Sequence, residues 1–95
     1  MNHVELTACI AEAKALRYTP AGIPMLDLVL EHESVLEHAG QSRQVKAVVK
    51  ANALGAMAER LQQQPLGSRW RFVGFLATPR MGKNVVFHIQ EFQQD

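Results

Sequence analysis

The feature that most constrains the fold is a change of hydrophobic period along the chain. Five segments alternate apolar and polar residues, which is the two-residue period of a half-buried strand. Between the third and the fourth of them, apolar residues recur at helical spacing. The predicted inward sides of the five strands are Val4, Leu6, Ala8 and Ile10; Leu26, Leu28 and Leu30; Val45, Ala47, Val49 and Ala51; Trp70, Phe72, Gly74 and Leu76; and Val85, Phe87 and Ile89.

The helical segment follows the third predicted strand. Asn52 is a residue type favoured at a helix N-cap, and the run Pro65-Leu66-Gly67 favours a stop. The residues that share one helical face are Leu54, Met57, Ala58 and Leu61. We therefore predict a short helix that covers one end of a sheet with its apolar face.

The order of three strands, a helix and two strands is that of the OB-fold, a five-stranded all-β barrel with its helix between strands 3 and 4. Gly74 in the middle of a strand suits the tight bend that such a barrel requires. Alternation by itself is also compatible with other five-strand topologies. The length of 95 residues suits a single domain spanning residues 1–95.

The sequence suggests a protein of a reducing compartment that does not span a membrane. Cys9 is the single cysteine and has no partner for an internal disulfide. The first residues lack the basic and apolar regions of a signal peptide, and no apolar stretch approaches the roughly 20 residues that span a bilayer. We expect a cytoplasmic protein.

The charges are distributed unevenly. From Glu5 to Glu37 there are six acidic residues against two basic ones, whereas from Arg43 to Lys83 there are eight basic residues against Glu59 alone. This asymmetry favours a basic surface for a polyanion. The alternative is that the fold brings the two halves together and the charges pair.

Residues for catalysis are not apparent. His32-Glu33 is followed by its next histidine, His38, at i+6 rather than at the i+4 of the metalloprotease helix. The histidines and Cys9 show no zinc-ligand spacing, and no glycine-rich phosphate loop is present. We predict a non-catalytic protein without metal or cofactor.

The basic residues instead suggest a nucleic-acid site. In an OB-fold the exposed faces of strands 2 and 3, with the loops joining strands 1–2 and 4–5, form the binding surface. Lysine and arginine contact phosphates there, and Tyr18 could stack on a base. Trp70 is instead expected to pack in the core. The candidate residues are Arg17 and Tyr18 in the first loop, Arg43, Lys46 and Lys50 on strand 3, and Arg80 and Lys83 in the second loop.

Several segments resemble the family of primosomal replication protein N (PriB), bacterial relatives of the single-stranded-DNA-binding protein. The similarity runs in order from about His3 to Phe92. It is carried by residues 17–24 (Arg-Tyr-Thr-Pro-Ala-Gly-Ile-Pro), 28–34 (Leu-Val-Leu-Glu-His-Glu-Ser), Ala39-Gly40, Arg43-Gln44, 67–69 (Gly-Ser-Arg), 73–75 (Val-Gly-Phe) and 86–89 (Val-Phe-His-Ile).

The resemblance implies a homodimeric OB-fold that binds single-stranded DNA without sequence preference. It also implies partnership with the primosomal helicase PriA at stalled forks, with DnaT and the single-stranded-DNA-binding protein as further candidate partners in reloading the replicative helicase. Family members can carry an aromatic on the outer face of strand 3, where this chain has Lys46, so we expect mainly electrostatic binding.

Two other functions remain open at this point. One is a protein-interaction adaptor of the primosome whose DNA binding is weak or vestigial. The other is an RNA-binding barrel. Such barrels typically expose aromatics on strands 2 and 3, where this chain has Asp27, Glu31, Lys46 and Lys50.

Overall fold

Five long strands form where the sequence alternates. A computed structural model describes residues 1–95 without a gap. Its elements are β1 (Val4–Ala13), β2 (Arg17–Tyr18), β3 (Pro24–His38), β4 (Gln41–Leu54), α1 (Ala56–Gln62), β5 (Arg69–Ala77) and β6 (Val86–Gln93).

The strands close into a barrel because β1 pairs on both of its edges. The sheet order is β1-β5-β6-β4-β3-β2, and β1 also pairs with β3. The part of β1 from Val4 to Cys9 pairs with β5, and the part from Cys9 to Ala13 pairs with β3. With α1 between β4 and β5, this is the OB-fold predicted from the sequence.

The core fills the barrel with most of the predicted inward residues. Val85 was wrongly predicted to be one of them, since it precedes β6 and is exposed. Leu26, Leu30 and Phe72 are fully buried, and Ala58 and Leu61 bring the buried face of α1 against them. Trp70 packs at the edge of this core, with its ring centroid 5.0 Å from that of Phe92, as predicted. No helix in the structure has the length and hydrophobicity needed to cross a membrane.

The predicted start of the helix was wrong. Asn52 is buried inside β4, and the strand continues to Leu54. Gly55, with a φ of 65°, occupies the N-cap, and Leu54 is 49% exposed rather than part of the buried helical face. Because Leu54 satisfies both a strand and a helix pattern, spacing alone does not place the boundary between the two elements.

A bulge interrupts the pairing of β5 with β6. The register shifts between Val73 and Gly74. The residue left without a partner is Gln90 of β6, so β5 keeps its alternation and Leu76 stays opposite the buried Phe87. Two predictions for β5 were nevertheless wrong: Val73, predicted to point outward, is buried, and Leu76, predicted to be in the core, is 41% exposed near the end of the strand. A bulge of this kind bends the strand, which is what barrel closure needs.

The strands β3 and β4 extend beyond the barrel as a hairpin arm, defined here as residues 32–49. Its turn is confined to Ala39 and Gly40, both with positive φ. The arm accounts for the elongated shape, whose longest extent is 50 Å.

Gly74 is expected to be intolerant of a side chain. A Cβ at this position would overlap the backbone carbonyl oxygen of His88 and lie 2.8 Å from Cε1 of Phe87. Gly74→Ala should therefore cost about 3 kcal/mol, the upper end for overpacking, because backbone has to move. Urea unfolding measures this cost. The control is Gly82→Ala, whose Cβ would make ordinary contacts of 3.5 Å with Pro79; equal stability of the two variants would contradict the account.

Candidate nucleic-acid interface

A groove of about 510 Å³ lies on the outer face of β3, β4 and β6. The end of β1 and the strand β2 form one wall, and Pro79 of the β5–β6 loop contributes to another. Its basic lining residues are Lys14, Arg17 and Lys50, its acidic ones are Glu12 and Asp27, and its floor includes Met25, Val29, Asn52, Val86 and His88.

Strand register determines which side chains face this groove. The pairs Val29↔Lys50 and Asp27↔Asn52 belong to the face opposite the buried pair Leu28↔Ala51. Lys50 is exposed and forms no ion pair within 4 Å of a carboxylate. It is therefore a free cation on the groove.

Arg17 faces the groove but is held by an acid. Its Nε donates a hydrogen bond of 2.8 Å to Oδ2 of Asp27. This hydrogen bond and the negative charge of Asp27 raise the pKa of Arg17 above its ordinary value. The pair leaves the outer nitrogens of the guanidinium without a carboxylate partner, and 57% of the Arg17 side chain is exposed.

Arg17 and Tyr18 were predicted to lie in a loop, and this was wrong. They form the two-residue strand β2, which pairs with Met25 and Pro24 at the start of β3. Tyr18 is 65% exposed and stands beside the groove without lining it. Two residues are too short a run for alternation to reveal a strand.

The hairpin arm separates two of the predicted residues. Lys46 shares the outward face with Lys50 but lies 3.4 Å from Oε1 of Glu33, its cross-strand partner. Arg43 pairs with Leu36 on the opposite face of the arm and hydrogen-bonds Nδ1 of His38 at 3.1 Å. The structure therefore does not bring Arg43 to the groove.

The β5–β6 loop carries the last two predicted residues. Arg80 and Lys83 are exposed, and neither forms an ion pair. Neither of them lines the groove, but Pro79 of the same loop does, and the β5–β6 loop is called the border of the groove here. This placement agrees with the loop position expected for them.

Lys14 was missed as a site residue. It follows the last residue of β1, and its backbone N–H donates to the carbonyl of Asp27 at 2.9 Å, which sets it at the groove wall. The only sequence signal was its charge near Arg17. The region outside the groove pairs more of its charges, with Arg69 bonded to Asp95 and Arg71 to Glu5.

Charge pairing is thus partial. Four of the ten basic side chains contact a carboxylate within 4 Å, namely Arg17, Lys46, Arg69 and Arg71. The alternative that the two halves of the chain neutralise each other holds for these four. The free cations at the groove and its border are Lys14, Lys50, Arg80 and Lys83.

Comparison with known proteins gives consistent matches. Residues 2–91 match the profile of a family described as "another single-strand binding protein family". The replication restart protein PriB of Bordetella pertussis is 44% identical over 92 residues, which cover 96% of this chain and 86% of that protein.

Solved structures agree with the sequence matches. A structure of PriB from Ralstonia solanacearum superposes with a TM-score of 0.90 at 35% identity, covering 99% of this chain and 97% of the other. A deletion mutant of the single-stranded DNA binding protein from Thermus aquaticus superposes with a TM-score of 0.79 at 25% identity, covering 98% of this chain and 49% of the other.

The NMR resonance of Arg17 Nε–Hε is expected to depend on its hydrogen bond to Asp27, and not merely on the number of nearby negative charges. Asp27→Asn should shift the Nε–Hε resonance of Arg17 in a ¹⁵N-resolved NMR spectrum towards that of a free arginine. Unfolding stability should change by less than about 1 kcal/mol, as for exposed pairs. The control Glu31→Gln removes an unpaired acid from the same face of β3. An unshifted resonance in Asp27→Asn would refute the contact.

Proposed function

The chain belongs to the single-strand binding protein family and, within it, to the replication restart proteins named PriB; we propose that it binds single-stranded DNA in the groove described above. It does so as a non-enzymatic subunit of the replication-restart primosome. Its action on replicating DNA places it in the cytoplasm.

The observation that carries the proposal is the basic groove at the binding position of an OB-fold. Lys14, Arg17 and Lys50 line it, and Arg80 and Lys83 stand at its border. A strand passing between wall and loop would have its phosphates within reach of these cations. Among aromatic rings, only the imidazole of His88 lines the groove, so phosphate contacts dominate.

The restart role adds partners to DNA binding. We propose that DNA held in the groove stabilises the primosomal helicase PriA on a stalled fork and promotes reloading of the replicative helicase. DnaT and the single-stranded-DNA-binding protein are candidate partners in these steps. A homodimer would place two such grooves in one particle and raise the avidity for a long strand.

A second function, that of a protein-interaction adaptor, is favoured by the hairpin arm. Val35 and Val48 are exposed by 70% and 72% on its outward face, and Leu36 is 46% exposed on the other. Lys46 on the same arm is already paired with Glu33. Apolar side chains exposed in this number favour a protein contact over a DNA contact at the arm.

The salt dependence of binding tests the electrostatic mode. If three phosphates are neutralised, log K should fall against log salt with a slope near −2, from about −0.7 per phosphate of a single strand. Fluorescence anisotropy with a labelled oligo(dT) measures the slope. Absence of binding at low salt, while the protein still captures PriA in a pull-down, would favour the adaptor instead.

Substitutions of groove residues should weaken DNA binding more than substitutions in the hairpin arm. Lys50→Ala should weaken DNA binding severalfold, because it removes a free cation from the groove. Lys83→Ala should weaken binding as well, whereas Lys46→Ala should have a smaller effect because Glu33 already compensates that charge. Arg69→Ala, outside the groove, serves as the control. A loss that is larger for Lys46→Ala than for Lys50→Ala would place the DNA on the arm.

A further inference from the structure

Four residues form a row across β3, β4, β6 and β5, and the first three of them line the groove. Asp27 on β3 is the register partner of Asn52 on β4, Asn52 is the partner of His88 on β6, and His88 is the partner of Phe75 on β5. Register partners on adjacent strands carry neighbouring side chains about 5 Å apart. The row therefore brings a carboxylate, an amide, an imidazole and a phenyl ring together.

Asn52 is unusual for a buried polar residue. It is 5% exposed and lines the groove. Its amide takes part in none of the side-chain hydrogen bonds of the structure. The neighbouring carboxylate of Asp27 is bonded to Arg17 instead. The amide thus has both its donor and its acceptor capacity unused at the groove floor.

His88 shows a similar deficit. Its ring stacks on Phe75 with the centroids 5.0 Å apart and an angle of 5° between the planes. Nε2 of the ring is buried and has no hydrogen-bond partner. Stacking fixes the plane of the imidazole, and Asn52 is the register partner of His88 on the neighbouring strand.

Buried polar groups are nearly always hydrogen-bonded, and exceptions call for an explanation. Nε2 of His88 is such an exception, and the adjacent amide of Asn52, which lines the same groove, forms no hydrogen bond with the protein. A ligand that offers donors and acceptors along one edge, with flat apolar faces for Met25 and Val86, would resolve both. A nucleobase has this combination. A phosphate offers acceptors alone, and the lysines and arginines of the groove walls and border would bind it better.

We propose that Asn52 and His88 form a nucleobase subsite, which hydrogen-bonds the edge of one base of a strand bound in the groove. The proposal rests on single-stranded DNA binding at this groove. It predicts a base preference at one nucleotide, in addition to the sequence-independent contacts of the lysines and arginines.

The test compares homopolymers of dA, dC and dT, and an abasic deoxyribose-phosphate strand, each of 20 nucleotides. By fluorescence anisotropy, the wild-type protein should bind its preferred homopolymer about tenfold more tightly than the least preferred probe. Asn52→Leu should reduce this ratio to about twofold or less. Its melting temperature should be unchanged or higher, since an amide that forms no hydrogen bond with the protein is replaced by an apolar side chain of similar size.

A second variant and two controls make the result specific. His88→Phe keeps the stack on Phe75 but lacks ring nitrogens, and it should also reduce the ratio. Gln62→Leu removes an exposed amide from α1 and should keep the wild-type ratio. Lys50→Ala should weaken all probes about equally, which leaves the ratio unchanged.

The proposal is overturned if the wild-type ratio is below twofold, or if either Asn52→Leu or His88→Phe retains the wild-type ratio. A lowered melting temperature of Asn52→Leu would also count against it, because the amide would then have a structural role. Failure of the proposed function is separate and would appear as no binding of any probe at low salt.

Discussion

The continuous pairing of β3 with β4 is the constraint on which the rest of the structure depends. Fourteen successive pairs run without a shift from Met25↔Leu54 to His38↔Gln41. A slip of one residue would turn every side chain of one strand to the other face. Burial of leucines and alanines on the inner face opposes such a slip. The same register therefore positions Asp27, Lys50 and Asn52 on the outer face, where the groove lies.

Closure of the barrel requires bending of β5 and β6, which Gly74 and the bulge beside it allow. Gly74 lets the backbone of β5 approach His88 on β6, and the shift of register beside it adds curvature. This approach also sets the ring of His88 against Phe75. Barrel closure and the geometry of the groove floor thus share one local cause. The groove therefore has cations on its walls and border, and a floor on which Asn52 and His88 Nε2 lack hydrogen-bond partners in the protein.

Much of the fold follows from local pattern, and most of the site does not. Alternation was enough to predict the five long strands and most of their inward residues, Leu76 and Val85 being exposed instead. The resemblance at residues 17–34 agreed with the family matches. Asn52 was misplaced because an asparagine before a helical pattern is typical of an N-cap, whereas its pairing with Asp27 keeps it in a strand. The bonds of Lys46 and Arg17 to acids, and the separation of Arg43 from the groove, depend on cross-strand register, which a one-dimensional pattern does not contain.

The central claim is that single-stranded DNA occupies the groove between β2, the β5–β6 loop and the outer faces of β3 and β4. Chemical-shift mapping of the ¹⁵N-labelled protein, titrated with a 15-nucleotide oligo(dT) at low salt, tests it most directly. The account predicts that the largest changes fall on residues lining the groove, including Lys14, Asp27, Lys50 and His88. Changes confined to α1, or to the β1 and β5 face that carries Glu5 and Arg71, would contradict it.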